Sequence, residues 1–279
     1  MRTAEWLWPL LFVVSMAWVI WHLPAFMLDF APPESESAFD QLSGQFLRND
    51  AAPNLGGVFG GFVDILDLGA LILVPVAAWL GIASVQRSRL EQFEWNFFDK
   101  ISVFLGRVTM ILIVILLSVM IFEVVMRYVF ERPTLWANEL SLWIAGFVFL
   151  LSGLYAMQQR SHIRIFIIHV MLPRSLQRLC DVLSTALIAV FAFGLIWGGY
   201  GEARDQLMRW ETLGTAFDPP IPATLNPMIL MVVVLVTIQA ISNLIRDWNL
   251  DPEVHPAAEE IDKEDIAALK KVLGEIEDA

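Results

Sequence analysis

ISVFLGRVTMILIVILLSVMIFEVVM, residues 101–126, is the stretch that decides the fold. Its only ionisable side chains are Arg107 near one end and Glu123 near the other. A bilayer core of about 30 Å is crossed by about 20 apolar residues in helical conformation. Because hydrocarbon offers no partner to backbone amides, such a segment has to satisfy them within its own helix. The stretch therefore predicts a transmembrane helix.

Five further blocks have the same character. They run over about Trp6–Leu28, Val58–Val85, Leu135–Met157, Leu179–Tyr200 and Ile221–Ile245. The composition agrees, since 57% of the 279 residues are hydrophobic and only 17% are charged, which is too apolar for an ordinary soluble domain. The first block is longer than the apolar core of a signal peptide and no A-x-A-like site follows it, so we expect it to be retained. We predict an all-α integral membrane protein with about six transmembrane helices.

The basic residues between the blocks predict the orientation. Most of them follow the second, fourth and sixth spans, at Arg87, Arg89, Lys100, Arg160, Arg164, Arg174, Arg178 and Arg246. Fewer lie on the opposite side, among more acidic residues, at Arg48, Arg132, Arg204 and Arg209. By the positive-inside rule, both termini lie in the cytoplasm.

The connections contain shorter patterns. In 88–101 apolar residues recur at helical spacing, which fits either a helix in the headgroup plane or a simple amphipathic connector. His162–Leu172 is apolar but too short to span, which predicts a short interfacial helix. The polar, acidic segment 29–56 is interpreted as a loop. The acidic tail 249–279 fits a marginal solvated helix or, as the alternative, a docking helix.

The ionisable residues of the spans lie mainly at their ends. Glu123 and Arg127 are four residues apart with the acid first, which is the favourable order for a helical ion pair. Glu139 lies in the first turn of its span, where the helix dipole favours a carboxylate. We expect the short turn through Pro133 to bring Glu139 close to Arg127. This placement favours a clamp on a helical hairpin over an ion site.

Other candidate sites are weak. Asp64 and Asp67 share one face, and are explained either by an arginine of a partner helix or by an end-of-helix position near water. Cys180 is the single cysteine, and His22 lies at a different depth from His162, so neither a zinc cluster nor a bis-histidine haem site is indicated. The chain contains no nucleotide-binding or hydrolase motif and no basic patch. We therefore expect no enzyme activity, no cofactor and no nucleic-acid partner.

The last four spans also lack the features of a transport pathway. Their central thirds are almost wholly apolar. Secondary transporters usually show internal repeats and broken helices at the substrate site, and the sequence predicts neither. We expect unbroken helices that serve as a scaffold or as a wall facing membrane lipids.

Three short motifs at the span junctions resemble a known family. They are Glu123-x-x-x-Arg127-Tyr128-Val129-Phe130, Trp136-x-x-Glu139-Leu140 and Arg160-x-His162-Ile163. Over roughly residues 90–248, their order resembles the small membrane subunit (Q type, DctQ-like) of tripartite ATP-independent periplasmic (TRAP) transporters. One departure is Arg164-Ile165-Phe166, where the family often places an acidic residue.

The resemblance implies a non-catalytic scaffold in the bacterial inner membrane for a large, elevator-type membrane subunit. In this family a periplasmic substrate-binding protein delivers the substrate, mostly an organic anion. Uptake is driven by a cation gradient, usually sodium, and the cation is expected on the large subunit. The resemblance also implies subunit-interface roles, for Glu123, Arg127, Tyr128, Trp136, Glu139 and His162.

The residues alone leave one alternative function open, an independent carrier or channel that uses Asp64, Asp67, Glu123 and Glu139. The resemblance divides the chain into three parts. Residues 1–86 are an N-terminal extension with two spans and an acidic periplasmic loop. Residues 87–248 form a four-helix membrane domain, and residues 249–279 form an acidic cytoplasmic tail.

Overall fold

The computed structural model describes residues 4–85, 97–159 and 172–248, and in these ranges the regular structure is helical. The helices are α1 Ala4–Trp21, α2 Leu23–Phe30, α3 Glu36–Asn49, α4 Ile65–Ser84, α5 Phe97–Tyr128, α6 Ala137–Gln158, α7 Arg174–Met208 and α8 Ile221–Asp247. The five helices from α4 to α8 are long and apolar enough to cross a membrane, and the bent pair α1–α2 makes a sixth. The predicted all-α membrane fold is confirmed.

The short interfacial helices and the tail helix cannot be compared in the same way. Most of the pattern at 88–101, all of 162–171 and the tail 249–279 lie outside the described residues. These three expectations stay predictions.

The first predicted span, about Trp6–Leu28, is a bent pair of helices and not one continuous helix. α1 and α2 are separated only by His22 and are bent by 58° relative to each other. Pro24 lies in the first turn of α2, where a proline is well tolerated. The same proline lacks the N–H that would continue the hydrogen-bond ladder of α1, so the chain turns at this point.

The acidic segment 29–56 is not simply a loop, because it contains α3. Ser35 caps the first turn of this helix. Phe39, Leu42 and Phe46 follow at helical spacing and pack against α2 and the α7–α8 loop. The loop prediction is wrong here because this apolar stripe is short and lies among acidic residues.

One hydrophobic core fills the centre of the bundle. It contains Val13 of α1, Phe104 and Val108 of α5, Leu151 of α6 and Val232 of α8, and side chains of α4 pack against it. Helices α1 and α4 therefore pack directly onto the helices that follow them.

The connections meet at two opposite ends of the bundle. α2, α3, the α5–α6 turn at 129–136 and the α7–α8 loop at 209–220 lie at one end, which we call the outer end after its predicted orientation. There the indole N–H of Trp21 donates to the carbonyl of Asn49 at 2.9 Å, and its ring stacks on Phe217. The starts of α5 and α7 and the ends of α6 and α8 lie at the opposite, inner end. This arrangement agrees with the up-and-down order of the predicted spans.

Close packing of α4 on α5 depends on one glycine. A Cβ atom at Gly81 would lie 2.2 Å from the ring of Phe104, which is itself buried against Phe12. At Gly69 of the same helix, no atom lies within 4 Å of such a Cβ.

We expect Gly81→Ala to lower the melting temperature of the detergent-solubilised chain, because the new methyl group has to displace the Phe104 ring. Overpacking costs about 1–3 kcal/mol, which exceeds the roughly 1 kcal/mol that alanine gains over glycine in a helix. Gly69→Ala is the control and should be neutral or slightly stabilising. A melting temperature for Gly81→Ala equal to that of the control would contradict this packing.

Candidate functional site

Glu123, near the outer end of α5, is the centre of a clamp on the α5–α6 hairpin. One carboxylate oxygen accepts hydrogen bonds from Nε and Nη2 of Arg127 at 3.0 and 2.5 Å. The other accepts from the backbone N–H of Thr134 at 3.0 Å and from the Thr134 hydroxyl. Only 5% of the Glu123 side chain is exposed, so protein groups replace water around the charge. The predicted Glu123–Arg127 pair is confirmed, and Thr134 is a partner that the sequence did not single out.

Glu139 has other partners than the predicted one. Its Oε2 accepts from the hydroxyl of Thr215 at 2.6 Å and from the backbone N–H of Asp218 at 3.2 Å. Both donors belong to the α7–α8 loop, while Arg127 donates to Glu123. Because α6 packs beside α8, this loop reaches the first turn of α6. The carboxylate therefore ties α6 to the α7–α8 loop.

Asp218 extends this tie to α3. Its Oδ2 accepts from Nη1 of Arg48 at 3.0 Å, and its Oδ1 accepts from the backbone N–H of Gly214 at 2.7 Å. Burial alone would raise the pKa of Asp218, but hydrogen bonds from Arg48, Thr212 and Gly214, with the charge of Arg48, outweigh it. The pKa of Asp218 therefore lies below its ordinary value.

The remaining residues of the α5–α6 motifs lie on the protein surface. The Trp136 ring stacks on Phe122 at 5.7 Å, at the start of α6. Tyr128 is 75% exposed. The exposed apolar residues of this turn, which we call the hairpin patch, are Tyr128, Val129, Phe130, Leu135 and Trp136. His162 lies outside the described residues.

Asp64 and Asp67 form a capping box at the start of α4. Oδ1 of Asp64 accepts from the backbone N–H groups of Leu66 and Asp67, and Oδ2 of Asp67 accepts from the backbone N–H of Asp64. The other oxygen of Asp67 accepts from the indole of Trp18 at 2.8 Å and lies 3.7 Å from Nδ1 of His22. The end-of-helix explanation is thus correct. Both aspartates are buried, however, so nearness to water is not the reason for their position.

A buried polar network at the inner end was not predicted from the sequence. Asp99 accepts from Nη1 of Arg246 at 2.5 Å and from the side-chain amide of Gln239 at 2.8 Å. Gln239 also donates to Asn243 at 3.0 Å, and Asn243 in turn donates to the carbonyl of Met157 at 2.8 Å. The network therefore joins α5, α6 and α8 where their ends meet.

The four carboxylates considered for an independent carrier are not brought into one site. The carboxylates of Asp64 and Asp67 each accept from the backbone N–H of the other residue. Glu123 accepts from Arg127 and Thr134, and Glu139 accepts from the α7–α8 loop. Across the described ranges, no group of three His, Cys, Asp or Glu side chains is placed to hold a metal ion.

The part of the chain that contains the α5–α6 hairpin matches a known protein family. Residues 116–250 match the family model for tripartite ATP-independent periplasmic transporters, DctQ component. Over these residues the chain is similar to the DctQ component of such transporters. The DctQ segment includes the Glu123 clamp, the hairpin patch and the Glu139 tie, so the resemblance of the short motifs is confirmed. Neither a curated protein nor a solved structure gives a significant match.

The ion pair at the inner end reaches from Arg246 inside the DctQ segment to Asp99 upstream of it. We expect Arg246→Met to destabilise the chain more than Arg48→Met does. The first change removes the cation that lies 2.5 Å from a fully buried carboxylate, and breaking a buried pair of this kind costs about 3–5 kcal/mol. The second removes an ion pair whose arginine is half exposed, and such pairs contribute at most about 1 kcal/mol.

Thermal unfolding in detergent measures both effects. Asp99→Asn combined with Arg246→Met should recover part of the loss, because the double variant no longer buries the charge. Equal losses for the two single arginine variants would contradict the importance of the buried pair.

The tie between Arg48 and the DctQ loop residue Asp218 is expected to weaken at acid pH. Since the pKa of Asp218 is lowered in the folded state, its stabilising effect is fully present above the ordinary aspartate pKa of about 4. The effect is lost as the pH falls through the lowered folded pKa. The difference in melting temperature between the unmodified chain and Asp218→Asn should therefore be constant near neutral pH and should shrink towards zero as the pH falls into the acid range. A difference that persists at the acid end would contradict this role.

Proposed function

We propose that the chain is a non-catalytic scaffold subunit of a TRAP transporter in a bacterial inner membrane. The observation that carries the proposal, beside the DctQ match, is the apolar filling of the bundle. Its centre is occupied by Val13, Phe104, Val108, Leu151 and Val232. A substrate pathway needs polar groups that face a water-accessible route across the membrane. The packed apolar centre supports a frame instead.

The hydroxyl groups within the spans support the same function. Five of them donate to a carbonyl three or four residues earlier in their own helix, at Thr109, Ser118, Ser152, Thr185 and Thr237. A hydroxyl that donates to a carbonyl of its own helix has a hydrogen-bond partner inside the membrane without contact with water or another helix. These groups are therefore explained without a solute that passes between the helices.

The hairpin patch is the best candidate for contact with the large membrane subunit. Aromatic residues are enriched at protein interfaces, and this patch presents Tyr128, Phe130 and Trp136. The Glu123 clamp holds the backbone of the turn, so the patch is preorganised and loses little conformational freedom on binding.

The rest of the transport cycle would belong to partners. On this proposal the large subunit carries the substrate and the coupling cation, usually sodium, and moves against the fixed frame. A periplasmic binding protein delivers the substrate, an organic anion. The DctQ match supports an assembly of this kind.

Co-expression with a large TRAP membrane subunit, sought first among the proteins encoded beside this chain, tests the proposal. We expect the tagged chain to co-purify with that protein, and Arg127→Ala and Tyr128→Ala to reduce the recovered amount. The matched control is Arg132→Ala, which removes an exposed cation from the same turn. Thermal unfolding of each purified variant separates weakened assembly from loss of fold.

In those complexes that still assemble, the same variants should leave the relative uptake of different substrates unchanged. A change in substrate affinity with full recovery of the large protein would contradict the scaffold role. So would failure of the unmodified chain to retain that protein.

A further inference from the structure

The segment between α3 and α4 differs in composition from the acidic residues before it. Residues 51–63 read AAPNLGGVFGGFV and carry no charge. The preceding stretch, 29–50, contains the acids Asp29, Glu34, Glu36, Asp40 and Asp50. The change in composition separates a solvated helix face from a neutral, partly apolar loop.

The end of this loop is built as a fixed turn. The carboxylate of Asp29 accepts from the backbone N–H groups of Phe62 and Val63 at 2.9 and 2.8 Å. The N–H of Val58 donates to the carbonyl of Val63 at 2.7 Å and closes the turn. A Cβ atom at Gly61 would lie 2.4 Å from the Asp29 carboxylate, so this close approach requires glycine. The turn therefore holds one shape.

Phe59 stands within this turn, and its side chain is fully exposed. Its backbone lies in the left-handed region, with φ 56° and ψ 22°, which is unfavourable for a residue with a Cβ. Because the exposed ring of Phe59 packs against no other residue that the structure describes, no contact among these residues offsets the cost of this backbone conformation. The compensating contact is then expected outside it.

The turn leads directly into α4, which has an exposed apolar face. This helix begins at Ile65, and Ile65 and Leu66 in its first turn are exposed. The exposed apolar face continues along the span through Ile72, Val76 and Trp79. The 20 residues of α4 are about the number that crosses the hydrocarbon core, so its first turn has to lie at the membrane surface. A loop that ends just before this turn is then expected at the depth of the headgroups. Aromatic side chains are enriched at this depth.

We propose that residues 51–63 lie in the headgroup region of the outer leaflet, with Phe59 as their anchor. The absence of charge lets the loop enter this region without burying an ion. The acidic face of α3 remains in water. Because the turn is fixed, the depth of Phe59 in the membrane also sets the depth at which α4 begins. The partner of this surface is thus the lipid bilayer itself.

Spin labels on single cysteines test the depth of the loop. Cys180 is the only cysteine, so Cys180→Ser gives a background for Leu55→Cys, which labels the loop and leaves Phe59 in place. The references are Asp40→Cys on the exposed face of α3 and Val114→Cys on the exposed face of α5. The full chain is placed in nanodiscs of phosphatidylcholine and phosphatidylglycerol, and the accessibility of each label to oxygen and to a water-soluble nickel chelate is measured.

The ratio of oxygen to nickel accessibility at position 55 should be several-fold above that at position 40 and below that at position 114. A ratio equal to that at position 40 would overturn the proposal, because the loop would then lie in water.

A second pair of variants tests the anchor separately. With the label at position 55, Phe59→Asp should shift the ratio towards that of position 40, while Phe59→Trp should leave it in place. An unchanged ratio in a folded Phe59→Asp variant would rule out Phe59 as the anchor. Neither readout depends on a transport partner.

Discussion

The buried ion pair between Asp99 and Arg246 is the interaction on which the arrangement of the bundle depends. Their side chains are 0% and 11% exposed, so water contributes little to their solvation. In such surroundings each charged or polar group needs a complete set of protein partners. Asp99 accepts from Arg246 and Gln239, and Gln239 bonds Asn243, at the place where the ends of α5, α6 and α8 come together. The Glu123 clamp acts in the same way at the outer end, and a bundle tied at both ends around an apolar centre is suited to serve as a fixed frame.

The N-terminal helices join this frame through equally specific contacts. Val13 of α1 belongs to the central core, and Trp21 stacks on Phe217 of the α7–α8 loop. Arg48 of α3 binds Asp218 in the same loop. The loop belongs to the DctQ segment, whereas its supports come from the extension. The N-terminal helices thus support the outer surface of the segment 116–250 as well as adding two spans.

The spans could be predicted because the bilayer leaves few choices for a long apolar block. Local spacing also identified the pair of Glu123 with Arg127, since both lie on one helix. The partner of Glu139 could not be found in this way, because Thr215 is 76 residues away and reaches α6 only after the helices pack. The inner network joins residues up to 147 apart for the same reason. Two local signals were too weak to be used for prediction. Pro24 inside an apolar block marks the break between α1 and α2, and a short apolar stripe marks α3.

Distance measurements across the assembled frame test its rigidity most directly. Nitroxide labels at Ile72→Cys of α4 and Val190→Cys of α7, both exposed positions, in the Cys180→Ser background would span the bundle. Pulsed electron–electron double resonance would be recorded in nanodiscs for the chain alone, for the chain with the proposed large subunit, and for that complex with sodium or with choline. We predict one narrow distance distribution that is the same in all of these states. A second peak, or a shift of the peak when the partner or sodium is added, would contradict the fixed frame.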